Sequence, residues 1–178
     1  MTLKATIIDY GVGNIRSVQR ALAHLGVDSD LSADPRVIES AEFLILPGQG
    51  AFETAIHNLK DRHLDSLVCA HIKAQKPFLG ICVGFQILFD GSEENGIHQG
   101  LGLFPGVFKQ FPKMGLPVPH MGWNTLEFTQ RPPFPIAEET PTVYFVHSYY
   151  LDQTDAQHVL AISEYGIPFV AAIQAKNL

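Results

Sequence analysis

Cysteine is scarce in this sequence: two among 178 residues, at positions 69 and 82. Two thiols make no framework of disulfides, and their separation rules out a CxxC metal pair, so a reducing compartment, the cytosol, is expected. Long apolar runs are missing too. Asp9 interrupts the first apolar segment, and no window of about eighteen apolar residues occurs, so neither a secretory leader nor a membrane span is expected. Positive charge is also in short supply. The 12 Lys and Arg stand against 18 Asp and Glu and are scattered along the chain, which argues against nucleic acid as a partner. Metal-ligand spacings such as HxH and HExxH are absent, and His24, His57, His63, His71, His98 and His158 read as surface or packing residues. Gly11-Val12-Gly13 opens like a dinucleotide loop, but position 16 is Arg, so GxGxxG is broken. No cofactor and no metal are expected.

The length suits one domain over residues 1–178 with a core that needs no staples. The first half alternates strands and helices. Lys4 to Asp9 reads as a strand, and Asn14 to Leu25 as a helix with Ile15, Val18, Leu22 and Leu25 on one face, stopped by Gly26. A short strand around Val27 to Leu31, a helix start at Asp34-Pro35 and a strand at Glu42 to Leu46 follow. Ala51 to Lys73 is helical with a hitch at Asp61 to His63. Pro77 to Ile81 is a further strand, and Gly84 onward a helix. Such alternation predicts an α/β fold, flavodoxin-like, with a central mostly parallel sheet and helices on both faces. The second half reads as an antiparallel extension of that sheet, with Val107 to Phe111 at an edge. Strands are expected at Thr125 to Phe128, Thr142 to His147, His158 to Glu164 and Pro168 to Gln174, with a corner at Tyr165-Gly166.

The chemistry centres on Gly80-Ile81-Cys82-Val83-Gly84, placed where an apolar strand meets a helix start. This is the spacing of a nucleophile elbow, in which flanking glycines let strand and helix approach around a strained nucleophile. A helix N-terminus there would favour the thiolate and pull the thiol below its usual value of about 8.5. The Val83 N–H would point to where an oxyanion forms. Pro47-Gly48-Gln49-Gly50, also between a strand and a helix, can turn a second N–H to the same point. Together these predict acyl transfer through a thioester. Cys69, inside a helix, reads as a buried small hydrophobe.

GICVGFQ with LPGQGAF upstream resembles the class I glutamine amidotransferases, whose triad is an elbow cysteine and a downstream His-x-Glu pair. Within that family, IIDYGVGNIRSV, VPHMGWN and YFVHSYY resemble the glutaminase subunits of imidazole glycerol phosphate synthase. The resemblance runs from about Ile7 to the last residue. It implies hydrolysis of glutamine and delivery of ammonia to a (β/α)8 barrel synthase (cyclase) subunit. It makes Cys82 the nucleophile, and places the oxyanion site at Gly48, Gln49, Gly50 and Val83. Gln86, Glu94, His147, Ser148 and Tyr149 resemble contacts to substrate glutamine. Asn14, His120, Met121, Trp123 and Asn124 would lie toward the partner and the ammonia path. Position 49 departs from the family, where an apolar residue is common.

A larger departure concerns the triad. In the family the last strand leads to a Gly-x-Gln-Phe-His-Pro-Glu segment, whereas these 178 residues close on Ala175-Lys176-Asn177-Leu178. The expectation is a chain lacking the triad's His and Glu, with little glutaminase turnover. Two other readings stay open: a binding module for glutamine or the barrel subunit, and a different cysteine hydrolase on a similar sheet.

Overall fold

The structure is a computed structural model describing residues 4–136 and 140–178. Strand β1 (Lys4–Ile8) leads into helix α1 (Ile15–His24), followed by β2 (Asp28–Ser32), α2 (Pro35–Ser40) and β3 (Phe43–Leu46). Helices α3 (Phe52–Asp61) and α4 (Asp65–Lys73) precede β4 (Phe78–Gly80) and the single turn α5 (Val83–Gln86). The four strands form a parallel sheet in the order β2-β1-β3-β4.

Side-chain alternation explains the layering. Ala5, Ile7 and Ile45 face one side of the sheet, where Ile15, Val18 and Leu22 of α1 cover them. Ile8, Leu44 and Leu46 face the other side, against Ile38 of α2, Phe52, Ala55 and Leu59 of α3, and Val68 of α4. Helices therefore lie on both faces, as the alternation predicts. Leu25 differs from expectation: it is 73% exposed. The helix ends before it in a Schellman arrangement, with Gly26 at φ +72°, Val27 N–H bonded to Leu22 O and Gly26 N–H to Ala23 O. The hitch near residue 62 is a full break, with His63 at φ +55°.

The second half holds β5 (Phe89–Ser92), β6 (His98–Gln99), β7 (Phe104–Gln110), β8 (His120–Thr125) and β9 (Glu127–Phe128). Then come β10 (Thr142–His147), β11 (Tyr149–Tyr150), a 3-10 turn at Ala156–His158, β12 (Val159–Glu164) and β13 (Pro168–Ile173). Among the described residues these strands pair with one another, in the orders β11-β7-β5-β6, β10-β8 and β13-β12-β9, and do not extend the parallel sheet. The Tyr165-Gly166 corner does join the antiparallel β12 and β13. The segment expected at an edge is interior, because β7 lies between β5, to which it runs parallel, and β11.

The expected helix beyond Gly84 lasts one turn. Phe85 and Phe89 pack edge to face at 5.0 Å and both meet Phe108, while Ile87 O and Leu88 O accept N–H groups from Leu101 and Leu103. An aromatic cluster and a paired extended backbone override the local helical pattern.

Candidate active site

Cys82 terminates β4's exit and opens α5 with φ +55° and ψ −117°, a conformation that non-glycine residues rarely adopt. The glycines make that turn possible. A Cβ on Gly84 would sit 2.0 Å from Leu46 O, and one on Gly80 would sit 2.9 Å from Gly84 O. Cys82 is exposed as a whole residue, but neighbouring groups crowd its sulfur, to which the Val83 N–H bonds. Its pKa is nevertheless raised, first by burial among the surrounding groups and also by the charge of Glu94, against the opposing Val83 hydrogen bond. The expected depression is thus overturned. Four residues of α5 carry too little dipole to outweigh desolvation.

The Pro47-Gly48-Gln49-Gly50 turn lies directly over the elbow. A Cβ on Gly48 would come within 2.3 Å of Gly84 N and 2.9 Å of Val83 C. Pro47 and Gly48 are buried, Gln49 and Gly50 exposed, and Gly50 has φ +82°. The N–H groups of Gln49 and Gly50 have no hydrogen-bond partner among the described residues. Phe52, just past the turn, donates its N–H to Glu94 Oε2 at 2.7 Å, so one carboxylate faces both the turn and the thiol.

A cavity of about 770 Å³ opens beside Cys82 and is lined by Gln86, His147 and Tyr149 together with apolar groups such as Phe145 and Phe169. Ser148 is not among its lining residues; its carbonyl accepts the Phe111 N–H at 3.0 Å. His147 Nδ1 lies 3.0 Å from Tyr149 O and must carry the proton, which leaves Nε2 to accept from His120 Nδ1 at 2.9 Å. His120 Nε2 in turn faces the Asn124 amide at 3.5 Å. Both imidazoles are therefore neutral in this arrangement. Burial, with the proximity of His120, lowers His147 to about 4 against the Tyr149 hydrogen bond. No histidine among the described residues is hydrogen-bonded to the Cys82 sulfur.

Strand alternation splits the PHMGWN residues. His120 and Asn124 point inward, whereas Met121 and Trp123 are 60% and 73% exposed. Across the β8–β10 ladder, Met121 pairs with Val146 and Trp123 with Tyr144, also exposed, and the Trp123 and Tyr144 rings meet edge to face at 5.7 Å. Tyr144 and Val146 escaped the sequence reading, although the period-2 pattern of TVYFVH against HMGWNT would place them on that face. Asn14 caps α1, its side chain accepting from Ser17 N at 3.4 Å, and lines a separate cavity of about 600 Å³ with Gln49 and Arg16.

Comparison with known proteins places this geometry. Residues 6–178 match the class-I glutamine amidotransferase family. The HisH subunit of imidazole glycerol phosphate synthase from Geobacter sulfurreducens is 43% identical, with 98% of this chain and 87% of the relative aligned. The HisH subunit from Streptococcus sanguinis is 47% identical over 94% of this chain and 81% of its own length. Among solved structures, a glutamine amidotransferase superposes with TM-score 0.68 at 16% identity, covering 92% of this chain and 86% of that one. PurLQS from Thermotoga maritima gives 0.69 at 21%, covering 94% and 77%. These last two speak to the fold alone. The chain belongs to the class I glutamine amidotransferase family and, within it, to the group of the HisH subunits.

Proposed function

We propose that this protein is the glutaminase subunit of an imidazole glycerol phosphate synthase. The observation that carries the reading is Cys82 at the strained elbow, with Gly48 of the Pro47–Gly50 turn packed against Val83 and Gly84, and the N–H groups of Gln49 and Gly50 without partners among the described residues. The Cys82 sulfur attacks the side-chain amide carbon of glutamine, and the oxygen takes up charge facing the Val83 N–H and the turn. Collapse breaks the C–N bond, the nitrogen leaves as ammonia after protonation, and a glutamyl thioester remains. Water then releases glutamate and restores the thiol, so glutamine and water become glutamate and ammonia. Gln86, Glu94, His147 and Tyr149 surround the substrate; Glu94 suits its ammonium group.

The ammonia passes to a (β/α)8 barrel subunit, which uses it to make imidazole glycerol phosphate and an aminoimidazole carboxamide ribonucleotide. The exposed face of Met121, Trp123, Tyr144 and Val146 is the docking surface for that subunit, since aromatic and Met side chains are enriched at interface centres. A second reading draws on the raised thiol and the lack of a histidine bonded to it: the 178 residues bind glutamine and partner with little turnover. Glutamate release in the presence of a barrel synthase subunit, compared with Cys82→Ser, separates the two. Cys82-dependent glutamate supports the enzyme; a stable complex without glutamate supports the binding module; Cys82-independent glutamate contradicts both.

A further inference from the structure

Tyr10 is fully buried in the β1–α1 connection, and no substrate role falls to it. Its hydroxyl donates to the carbonyl of Pro47 at 2.5 Å across 37 residues of sequence. Proline has no N–H, so that carbonyl is the only hydrogen-bonding handle on the first residue of the turn. In a trans peptide the C=O and the following N–H point in opposite directions, so holding Pro47 O also fixes the direction of the Gly48 N–H.

The surroundings leave this contact little freedom. A Cβ on Gly13 would meet Pro47 Cβ at 3.2 Å, so the same connection also buttresses the proline ring. Burial raises the phenol, and the nearby Cys82 sulfur raises it further, so Tyr10 remains a donor through the neutral range. Beyond Gly48, Gln49 and Gly50 are exposed and their N–H groups lack partners among the described residues.

We infer that Tyr10 is a positioning residue for the reaction proposed above: by anchoring Pro47 it fixes the root of the turn, where Gly48 packs against Val83 and Gly84 of the Cys82 elbow, and confines peptide rotation to Gln49 and Gly50. The inference rests on the glutaminase reading. It also divides the turn into a fixed root and a movable tip.

The test uses Tyr10→Phe, which removes one oxygen and keeps the ring. The probe is L-2-amino-5-oxo-6-chlorohexanoate, whose C5 ketone oxygen takes the place of the glutamine amide oxygen. The Cys82 sulfur displaces chloride from its terminal methylene while that oxygen faces the turn. Labelling is followed by mass spectrometry, with iodoacetamide as an undirected control and thermal melting as a check on folding. Removing a direct oxyanion donor costs about 100- to 1000-fold; for an indirect positioning effect we expect the maximal labelling rate to fall about tenfold. The half-saturating probe concentration and the iodoacetamide rate should stay within about twofold, a split that loosened packing alone does not produce. An unchanged maximal rate overturns the inference, as does an equal fall in the iodoacetamide rate. If the unsubstituted chain shows no preference of the chloroketone for Cys82 over Cys69, the glutaminase reading itself falls and the inference with it.

Discussion

At the scale of single residues, the most demanding contacts are made by groups with no side chain. Gly84 carries its would-be Cβ 2.0 Å from a backbone oxygen, which cannot swing aside as a side chain would. Gly84→Ala should therefore lower unfolding free energy by about 3 kcal/mol, seen as an earlier urea midpoint; an unchanged midpoint contradicts the close packing. Glu94 makes a prediction of opposite signs. Its charge raises the Cys82 pKa, so Glu94→Gln should lower that pKa and speed iodoacetamide alkylation of Cys82 at neutral pH. The same change removes the carboxylate from Phe52 N–H and, under the glutaminase reading, from the substrate ammonium, so labelling by a glutamine-like chloroketone should slow. Parallel changes in the two rates would show that Glu94 acts on the thiol alone.

Among elements, the paired β8 and β10 bury His147 beside His120, and that burial, with the proximity of His120 adding to it, makes stability depend on pH. Folding lowers His147 from 6.5 to about 4, so the unfolded chain binds a proton that the folded chain refuses between those values. Stability is then complete above pH 6.5 and falls as the pH drops toward 4, by up to about 3 kcal/mol. His147→Gln should flatten that slope in urea titrations at pH 6.5 and 4.5, and an equal slope in both proteins contradicts it. Much at this scale was legible in the sequence. The strands and helices up to Leu46 follow period and caps, as do Thr142–His147 and the hairpin at Gly166. The single turn after Cys82 was not, because Phe85, Phe89 and Phe108 meet through contacts between separate segments. Tyr10 was hidden for the same reason: its partner is 37 residues away, and only the fold brings Pro47 to it.

For the whole molecule, the reading proposed above puts glutamine chemistry and partner docking on one ladder, β8–β10. His147, Tyr144 and Val146 line the cavity beside Cys82, while the exposed Met121 and Trp123 lie outside it. Trp123→Ala should weaken binding of a barrel synthase subunit by about 2 kcal/mol, roughly 30-fold, in a calorimetric titration. Its effect on chloroketone labelling of the free chain should be negligible. Affinity unchanged by the substitution would move the interface elsewhere. The measurement that bears most directly on Cys82 as the glutamine-directed nucleophile is site-resolved mass spectrometry of the 178-residue chain after brief exposure to that chloroketone, with and without glutamine. Labelling confined to Cys82, absent from Cys69 and suppressed by glutamine, is the predicted result; equal labelling of both cysteines, or labelling of Cys82 that glutamine leaves untouched, would contradict it.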